Sequence, residues 1–170
     1  MPGIHLPIPR QRKNIYSTLP HSHTVVPMLA LTFQIGTHRL ALDIRRIREV
    51  VPRVDLRSQA GGPAWLAGIF VYRGTAVPVI DLHRLLQAGE CPAHLSSRII
   101  LIPVEGGLLG LLAAQVAELR EVTPTGSGLP SLGGPDLGPL VVDNGSLIHL
   151  LDLDRLLPES TRSLIPRGPG

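Results

Sequence analysis

The sequence is poor in the residues on which several kinds of functional site depend. Cys91 is its only cysteine, so an internal disulfide and a thiolate metal cluster are excluded, and a reducing compartment fits. Aromatic residues are only 3% of the chain, too few for the stacking surfaces that hold single-stranded nucleic acid. No Gly-rich phosphate loop, Gly-x-Ser-x-Gly elbow or His-Glu-x-x-His motif occurs. The prediction is a protein that is not an enzyme and has no metal or cofactor site.

The chain also has no uninterrupted apolar segment long enough to span a bilayer. Residues 99–117 come closest, but Pro103, Glu105 and a Gly-Gly pair break them into two short runs, as in a hairpin. The first 23 residues lack the apolar core of a signal peptide. We therefore expect a cytoplasmic protein that does not insert into a membrane.

The basic character of the chain resides mainly near its two ends. Lys and Arg number 16 against 13 Asp and Glu, which gives a net charge of +3 and favours a nucleic-acid partner at first sight. However, the middle of the chain mixes both signs, and five basic residues lie near the termini. These five are Arg10, Arg12, Lys13, Arg162 and Arg167. The prediction is that nucleic acid is not a partner.

What the chain does contain is a series of short apolar runs separated by turn residues. Alternating apolar residues predict a hairpin from about residue 29 to 44. Helical turns are expected near 43–48 and after Asp81 and Asp152, each of which is suited to cap the turn that follows it. Further strands are predicted at 67–72, 75–80, 98–104, 108–113, 139–142 and 146–151. The predicted fold class is all-β.

Both ends of the chain lack this pattern. Residues 1–27 and 159–170 show no sustained period and are predicted to be tails of one domain at 28–158. Because 44% of the residues are hydrophobic, the chain can bury a core of its own. Residues 123–138 are rich in Gly and Pro and are predicted to form a loop.

An internal repeat gives the most information about the organisation of the chain. "REVVP" at 48–52 recurs as "REVTP" at 120–124, and "DLHRLL" at 81–86 recurs as "DLDRLL" at 152–157. The two shifts are nearly equal, which favours duplication over chance agreement in a Leu-rich chain. The repeat predicts two similar β halves, about 29–87 and 98–158, packed as one domain. Their boundary is expected near 88–97.

The repeat also places an arginine at a turn. A shift of 71 lays Arg73-Gly74 over Asn144-Gly145, and Asn-Gly is the strongest signal for a two-residue hairpin turn. Both central residues of such a turn need a positive φ, which costs an ordinary residue on the order of 1 kcal/mol and Asn less. Something other than turn formation would therefore have selected arginine at residue 73.

Four blocks of the sequence together resemble one protein family. The blocks are "HRLALDIRRIREVVP", "WLAGIFVYRGTAVPVIDLHRLL", "RIILIPVEGGLLGLLAAQV" and "LIHLLDLDRLL", in this order. The chain is thereby similar, over about residues 28–158, to the CheW family of chemotaxis coupling proteins. The resemblance implies two five-stranded SH3-like β-barrels packed as one domain, with no enzymatic activity. It also implies two partners, the cytoplasmic tip of a methyl-accepting chemoreceptor and the regulatory domain of a CheA-type histidine kinase.

The resemblance further assigns four residues to partner contact. Glu49 in "IREV" and Arg73 in "YRG" match the family's acidic and basic motif residues, which are expected to lie close together. Ile47 and Gly68 match positions associated with partner contact. Arg73 is thus expected to serve recognition with Glu49 orienting its guanidinium, the alternative being that Arg73 merely pins its turn to Glu49 within the fold.

Some positions depart from the family pattern. Tyr72 and Val71 stand where the family usually has Leu and Asn, and Ala113-Ala114 stands where it usually has Val-Asp. The Tyr-Arg-Gly variant is similar to the coupling proteins of Wsp-type surface-sensing clusters, which feed a diguanylate cyclase response. The alternative from another functional class is a small SH3-like β-barrel module that binds nucleic acid through basic tails. The salt dependence of binding distinguishes the adaptor from the nucleic-acid-binding module. Binding to phosphate weakens steeply as the salt concentration rises, whereas binding through an apolar adaptor interface does not.

Overall fold

The computed structural model describes residues 26–124 and 137–166, which are mostly β-structure. The strands are β1 (Met28–Ile35), β2 (His38–Asp43), β3 (Glu49–Pro52), β4 (Leu66–Tyr72), β5 (Thr75–Asp81), β6 (Arg98–Val104), β7 (Gly107–Ala113), β8 (Leu119–Pro124), β9 (Leu140–Asp143) and β10 (Ser146–Leu150). The helices are a 3₁₀ turn (Ile44–Arg46), α1 (Leu82–Leu85), α2 (Leu153–Leu156) and α3 (Thr161–Leu164). The predicted strands and helical turns are confirmed. The sequence patterns did not predict β3 and β8, which are the two copies of the "REVVP" repeat.

The strands form two sheets of five. In the first sheet, the order β1-β2-β10-β9-β8 closes into a barrel through the pairing of β8 with β1. In the second sheet, the order is β3-β6-β7-β5-β4, with β3 and β4 at its two edges. The expected pair of five-stranded β-units is therefore present, although ladder pairing closes only the first of them within the described residues.

The two predicted halves, 29–87 and 98–158, do not correspond to the two sheets. Strands β1 and β2 join β8–β10 in the barrel, whereas β3–β5 join β6 and β7 in the second sheet. Parallel pairing of β2 with β10 and of β5 with β7 makes this exchange, and local sequence pattern cannot predict such long-range pairing. Residues 88–97 accordingly connect two strands of the same sheet, so they lie between the two sequence repeats but not between the two sheets.

The exchanged arrangement still agrees with a duplicated sequence. We match β3, β4 and β5 with β8, β9 and β10, and β6 and β7 with β1 and β2. The second sheet, β3-β6-β7-β5-β4, then has the same strand order as the barrel when the barrel is written β8-β1-β2-β10-β9. Each unit then consists of three consecutive strands, with a hairpin from the other half inserted between the first and the third of them. This matching also places the two copies of each repeated motif at equivalent positions.

Within the described residues, three hydrophobic clusters fill the interior: one within the barrel, one between the sheets and one on the far face of the second sheet. On β6, Ile99 and Leu101 belong to the far-face cluster, and Ile100 and Ile102 belong to the cluster between the sheets. A strand that buries both faces has no polar alternation, which explains the continuous apolar run at 99–102. These buried faces hold the second sheet in one position against the barrel.

Both predicted hairpin turns have the expected backbone. The φ angles of Arg73 and Gly74 are +46° and +80°, and those of Asn144 and Gly145 are +48° and +84°. Each turn therefore has two consecutive residues in the left-handed region, as a type I′ hairpin requires. The prediction that Arg73 lies at a strand-to-strand turn is confirmed.

Both predicted caps are also confirmed, but the two aspartates differ in burial. The Asp81 carboxylate accepts hydrogen bonds from the backbone N–H groups of His83, Arg84 and Cys91, and the residue is 1% exposed. The side chain of Asp152 caps α2 in the same way but remains 32% exposed. Asp81 is therefore a buried acceptor that joins three backbone N–H groups, whereas Asp152 is a helix cap at the surface.

The predicted tails and loop are described only in part. Residues 1–25, 125–136 and 167–170 lie outside the described residues, so the predictions for the N-terminal tail, for most of the loop at 123–138 and for the end of the C-terminal tail stay predictions. The C-terminal tail predicted at 159–170 is wrong for α3, whose Thr161 is buried and donates its hydroxyl to the carbonyl of Pro158 at 2.7 Å. A single helical turn is too short to show a sequence period. Across the described parts of the chain, helices are too short to cross a bilayer.

Candidate functional site

The structure brings Glu49 and Arg73 together on one side of the second sheet. Glu49 is the first residue of β3, and Arg73 follows β4 in the turn to β5. Although β3 and β4 are the two edges of the sheet, Nη2 of Arg73 lies 3.6 Å from Oε2 of Glu49. The sheet is therefore curved enough for side chains to bridge its open side. The proximity implied by the family resemblance is present, while the contact of these residues with a partner stays a prediction.

Tyr72 joins this pair, so that three side chains form one cluster. Its hydroxyl donates a hydrogen bond to Oε2 of Glu49, and the guanidinium carbon of Arg73 lies 5.2 Å from the centre of its ring. The ring also makes an edge contact with Phe70, with the ring centres 6.4 Å apart. We name Glu49, Tyr72 and Arg73 the turn cluster. In the sequence, Tyr72 is distinguished only as a departure from the family motif, and it is not among the predicted site residues.

The turn cluster is accessible to a partner. The side chain of Arg73 is 73% exposed and that of Glu49 is 39% exposed. Ion pairs as exposed as this one contribute about 0–1 kcal/mol to stability because water and salt screen them. The fold therefore does not depend strongly on the pair, and the charged groups remain available for recognition.

An apolar groove lies next to the turn cluster. Its volume is about 840 Å³, and Ile69, Phe70 and Val71 of β4 form one wall. Val71 is 72% exposed, so its side chain adds apolar surface to this wall. The remaining lining residues are Val54, Asp55, Arg57, Ser58, Gln59 and Ala76. The groove and the turn cluster both involve β4 and the β4–β5 hairpin.

Gly68 has a structural role behind this surface. It lies at an irregularity in the pairing of β4 with β5 and has a φ of +148°. A Cβ atom there would lie 2.7 Å from Cβ of Leu56 and 2.8 Å from the carbonyl oxygen of Arg57. Arg57 and Ile69 exchange two backbone hydrogen bonds of 2.9 Å beside it. This close approach accounts for a glycine at residue 68 without any partner, and its predicted partner contact remains untested.

Replacing Gly68 with alanine is expected to destabilise the protein by about 2 kcal/mol. The new methyl group would force apart the Arg57–Ile69 bridge and would also strain the backbone. Urea unfolding of the Gly68→Ala variant measures the change. Gly89→Ala is the matched control, because Gly89 also has a positive φ, +85°, but its Cβ would meet nothing within 4 Å. If the two variants lost equal stability, the close approach at Gly68 would not be the reason for glycine there.

Ile47 belongs to a different surface from the turn cluster. It follows the 3₁₀ turn, donates its backbone N–H to the carbonyl of Ile44 at 3.1 Å, and packs against the cluster between the sheets. Tyr72, in contrast, packs against the far-face cluster of the second sheet. The four residues predicted for partner contact are therefore divided: Glu49 and Arg73 form the turn cluster, Gly68 supports the groove, and Ile47 faces the barrel.

The single cysteine is not available for chemistry. Burial raises the pKa of the Cys91 thiol to about 11, and the nearby Asp81 carboxylate acts in the same direction. The thiol therefore stays neutral near pH 7 and is a poor nucleophile. Among residues 26–124 and 137–166, no group of three or more His, Cys, Asp or Glu side chains is placed to hold a metal ion.

Comparisons with known proteins agree with this architecture. A family model described as CheW-like domain matches residues 29–161. The chain is 25% identical over 150 residues to the chemotaxis protein CheW of Treponema pallidum, covering 79% of this chain and 88% of that protein. It is 27% identical over 141 residues to protein FrzA of Myxococcus xanthus, with coverage of 79% and 88%.

A solved structure shows the same fold. The crystal structure of the scaffolding protein TtCheW from Thermoanaerobacter tengcongensis superimposes with a TM-score of 0.69 and 25% sequence identity. The match covers 81% of this chain and 92% of that chain. Because the family model spans most of the chain and the fold agrees, the chain belongs to the CheW family of chemotaxis coupling proteins.

Proposed function

We propose that this protein is a non-catalytic cytoplasmic adaptor that connects the cytoplasmic tip of a methyl-accepting chemoreceptor to the regulatory domain of a CheA-type histidine kinase. Its membership of the CheW family supports an adaptor role, and the neutral, buried Cys91 offers no reactive thiol. Recognition would depend on the fit of its surfaces to both partners rather than on any reaction.

The observation that carries the proposal is the turn cluster beside the apolar groove. An exposed arginine held by a tyrosine and a glutamate lies next to an exposed valine on an edge strand. Interfaces between proteins combine an apolar centre with aromatic and Arg contacts, and this surface has both. We assign it to the kinase regulatory domain.

The backbone of β4 suits such a contact. Ile69 directs its N–H and C=O groups away from β5 to the backbone of Arg57. Because strand residues two positions apart direct their backbone groups to the same side, those of Val71 also face the open edge. A strand of the kinase domain can pair there while its side chains enter the groove.

A second surface suits the receptor tip. Leu31 pairs with Leu119 on the barrel face that packs against the second sheet, and Leu29 lies on the same face two residues earlier. Leu29 is 46% exposed and Leu119 is 51% exposed, so the apolar face extends beyond the buried core. Ile47 packs against the same inter-sheet cluster. We propose that this apolar surface, which consists of Leu29, Leu119 and Ile47, binds an apolar helix of the receptor tip.

Binding measurements at low and high salt test the function. The full chain is expected to bind the purified regulatory domain of the CheA-type kinase encoded in the same genome, and also a cytoplasmic fragment of a chemoreceptor. Raising the salt concentration about fourfold should change the kinase affinity by less than tenfold, because most of the contact is apolar. Isothermal titration calorimetry measures both affinities.

Duplex and single-stranded oligonucleotides serve as the matched probes. The comparisons give no support to the nucleic-acid alternative. Binding to an oligonucleotide that falls by orders of magnitude with salt, together with no binding to kinase or receptor, would contradict the adaptor function.

A further inference from the structure

Tyr72 contacts both charged members of the turn cluster. Its hydroxyl binds the carboxylate of Glu49 on the opposite edge strand, and its ring lies beneath the guanidinium of Arg73. Glu49 and Arg73 also contact each other, so each of the three side chains contacts the other two. A leucine at residue 72, the usual residue according to the resemblance, has neither the hydroxyl nor the ring face.

The duplicated unit shows what this position does elsewhere in the same chain. Asp143 precedes the Asn144 turn as Tyr72 precedes the Arg73 turn. It accepts a hydrogen bond of 2.8 Å from Nε of Arg120 on β8, the strand equivalent to β3. The residue before the turn therefore contacts the first of the three consecutive strands in both units, which is β8 in the closed barrel and the edge strand β3 in the second sheet. In the barrel this contact is buried, since the side chain of Asp143 is 3% exposed, whereas in the second sheet it lies at the surface.

We propose that Tyr72 is a positioning residue that fixes the direction of the Arg73 guanidinium on the kinase-binding surface, through its ring and through Glu49. This inference rests on the proposed function. An exposed arginine in a two-residue turn is otherwise free to rotate about its side-chain bonds, and ordering it on binding costs entropy. The ring and the carboxylate restrict it before binding, so the partner meets an arginine that is already oriented.

Two variants distinguish the effect of the Tyr72 ring on Arg73 from the effect of the Tyr72 hydroxyl on Glu49. Tyr72→Phe keeps the ring beneath Arg73 and removes only the bond to Glu49. Tyr72→Leu removes both contacts but keeps an apolar side chain against the far-face cluster. Amide spectra of both variants identify any change in the fold itself.

The first measurement uses the free protein and needs no partner. In the ¹⁵N–¹H spectrum, the Nε–H signal of Arg73 should carry a ring-current shift that persists in Tyr72→Phe and disappears in Tyr72→Leu. The Nε–H signal of Arg45 is the control, because that group is bonded to Asp43 and should not move. An Arg73 signal that is identical in all three proteins overturns the positioning role, whether or not the kinase binds.

The second measurement is the affinity for the kinase regulatory domain. We expect Tyr72→Leu to bind about fivefold more weakly and Tyr72→Phe less than about twofold more weakly, a range typical for the ordering of one long side chain. Equal affinity of the wild-type chain and Tyr72→Leu, despite a changed Arg73 signal, also overturns the inference. Absence of kinase binding by every form contradicts the proposed function instead, and the spectra still decide whether Tyr72 orients Arg73.

Discussion

Replacing Arg73 with asparagine is expected to weaken binding to the kinase regulatory domain about thirtyfold and to leave the fold intact. The loss corresponds to roughly 2 kcal/mol, a typical cost when one partner of a hydrogen-bonded charge pair is removed from an interface. The free energy of unfolding should change by less than about 1 kcal/mol. Asn relieves the strain of a φ of +46°, while the lost contact with Glu49 is an exposed one. Calorimetric titration and urea unfolding measure the two quantities on the same variant.

The duplicated turn provides the matched control for Arg73. Asn144→Arg places arginine at the equivalent turn of the barrel, where φ is +48°. We expect it to lose about 1 kcal/mol of stability and to bind the kinase domain normally. Unchanged binding and lost stability in Arg73→Asn would show instead that Arg73 only pins its own turn to Glu49.

Replacing Asp81 with alanine is expected to lower the free energy of unfolding by about 3 kcal/mol. The substitution removes the helix cap formed with the N–H groups of His83 and Arg84, worth up to about 2 kcal/mol, and leaves the buried N–H of Cys91 without an acceptor at about 1 kcal/mol or more. For a protein of this size, the midpoint of thermal unfolding should fall by roughly 10 °C. Scanning calorimetry measures the fall.

Asp152, the second aspartate of the repeat, serves to distinguish the stability that comes from capping a helix from the stability that comes from the buried bonds of Asp81. Asp152→Ala removes the same kind of cap from α2, but the carboxylate is 32% exposed, and water can replace it. We expect a loss of about 1 kcal/mol. Equal losses in the two variants would mean that the bond from Cys91 and the burial of Asp81 contribute nothing to stability.

Local features of this protein were determined by the sequence alone. Alternation and turn residues predicted the hairpins, the duplicated "DLxRLL" motif predicted both caps, and the alignment of Arg73 with Asn144 predicted a left-handed turn. Each of these depends on residues a few positions apart, so the necessary information lies within a short window. The four family blocks predicted an adaptor of the CheW type for the same reason, since each block is contiguous.

Only the tertiary structure decided how the strands are shared between the sheets and what surrounds Arg73. The exchange of β1–β2 and β6–β7 follows from parallel pairings that bring together distant parts of the chain, and a strand that buries both faces looks alike in either sheet. Tyr72 meets Glu49 only because the second sheet curves until its two edges face each other. Pairing and curvature are properties of the packed sheets, because burial of the three hydrophobic clusters selects among arrangements that the local patterns allow equally.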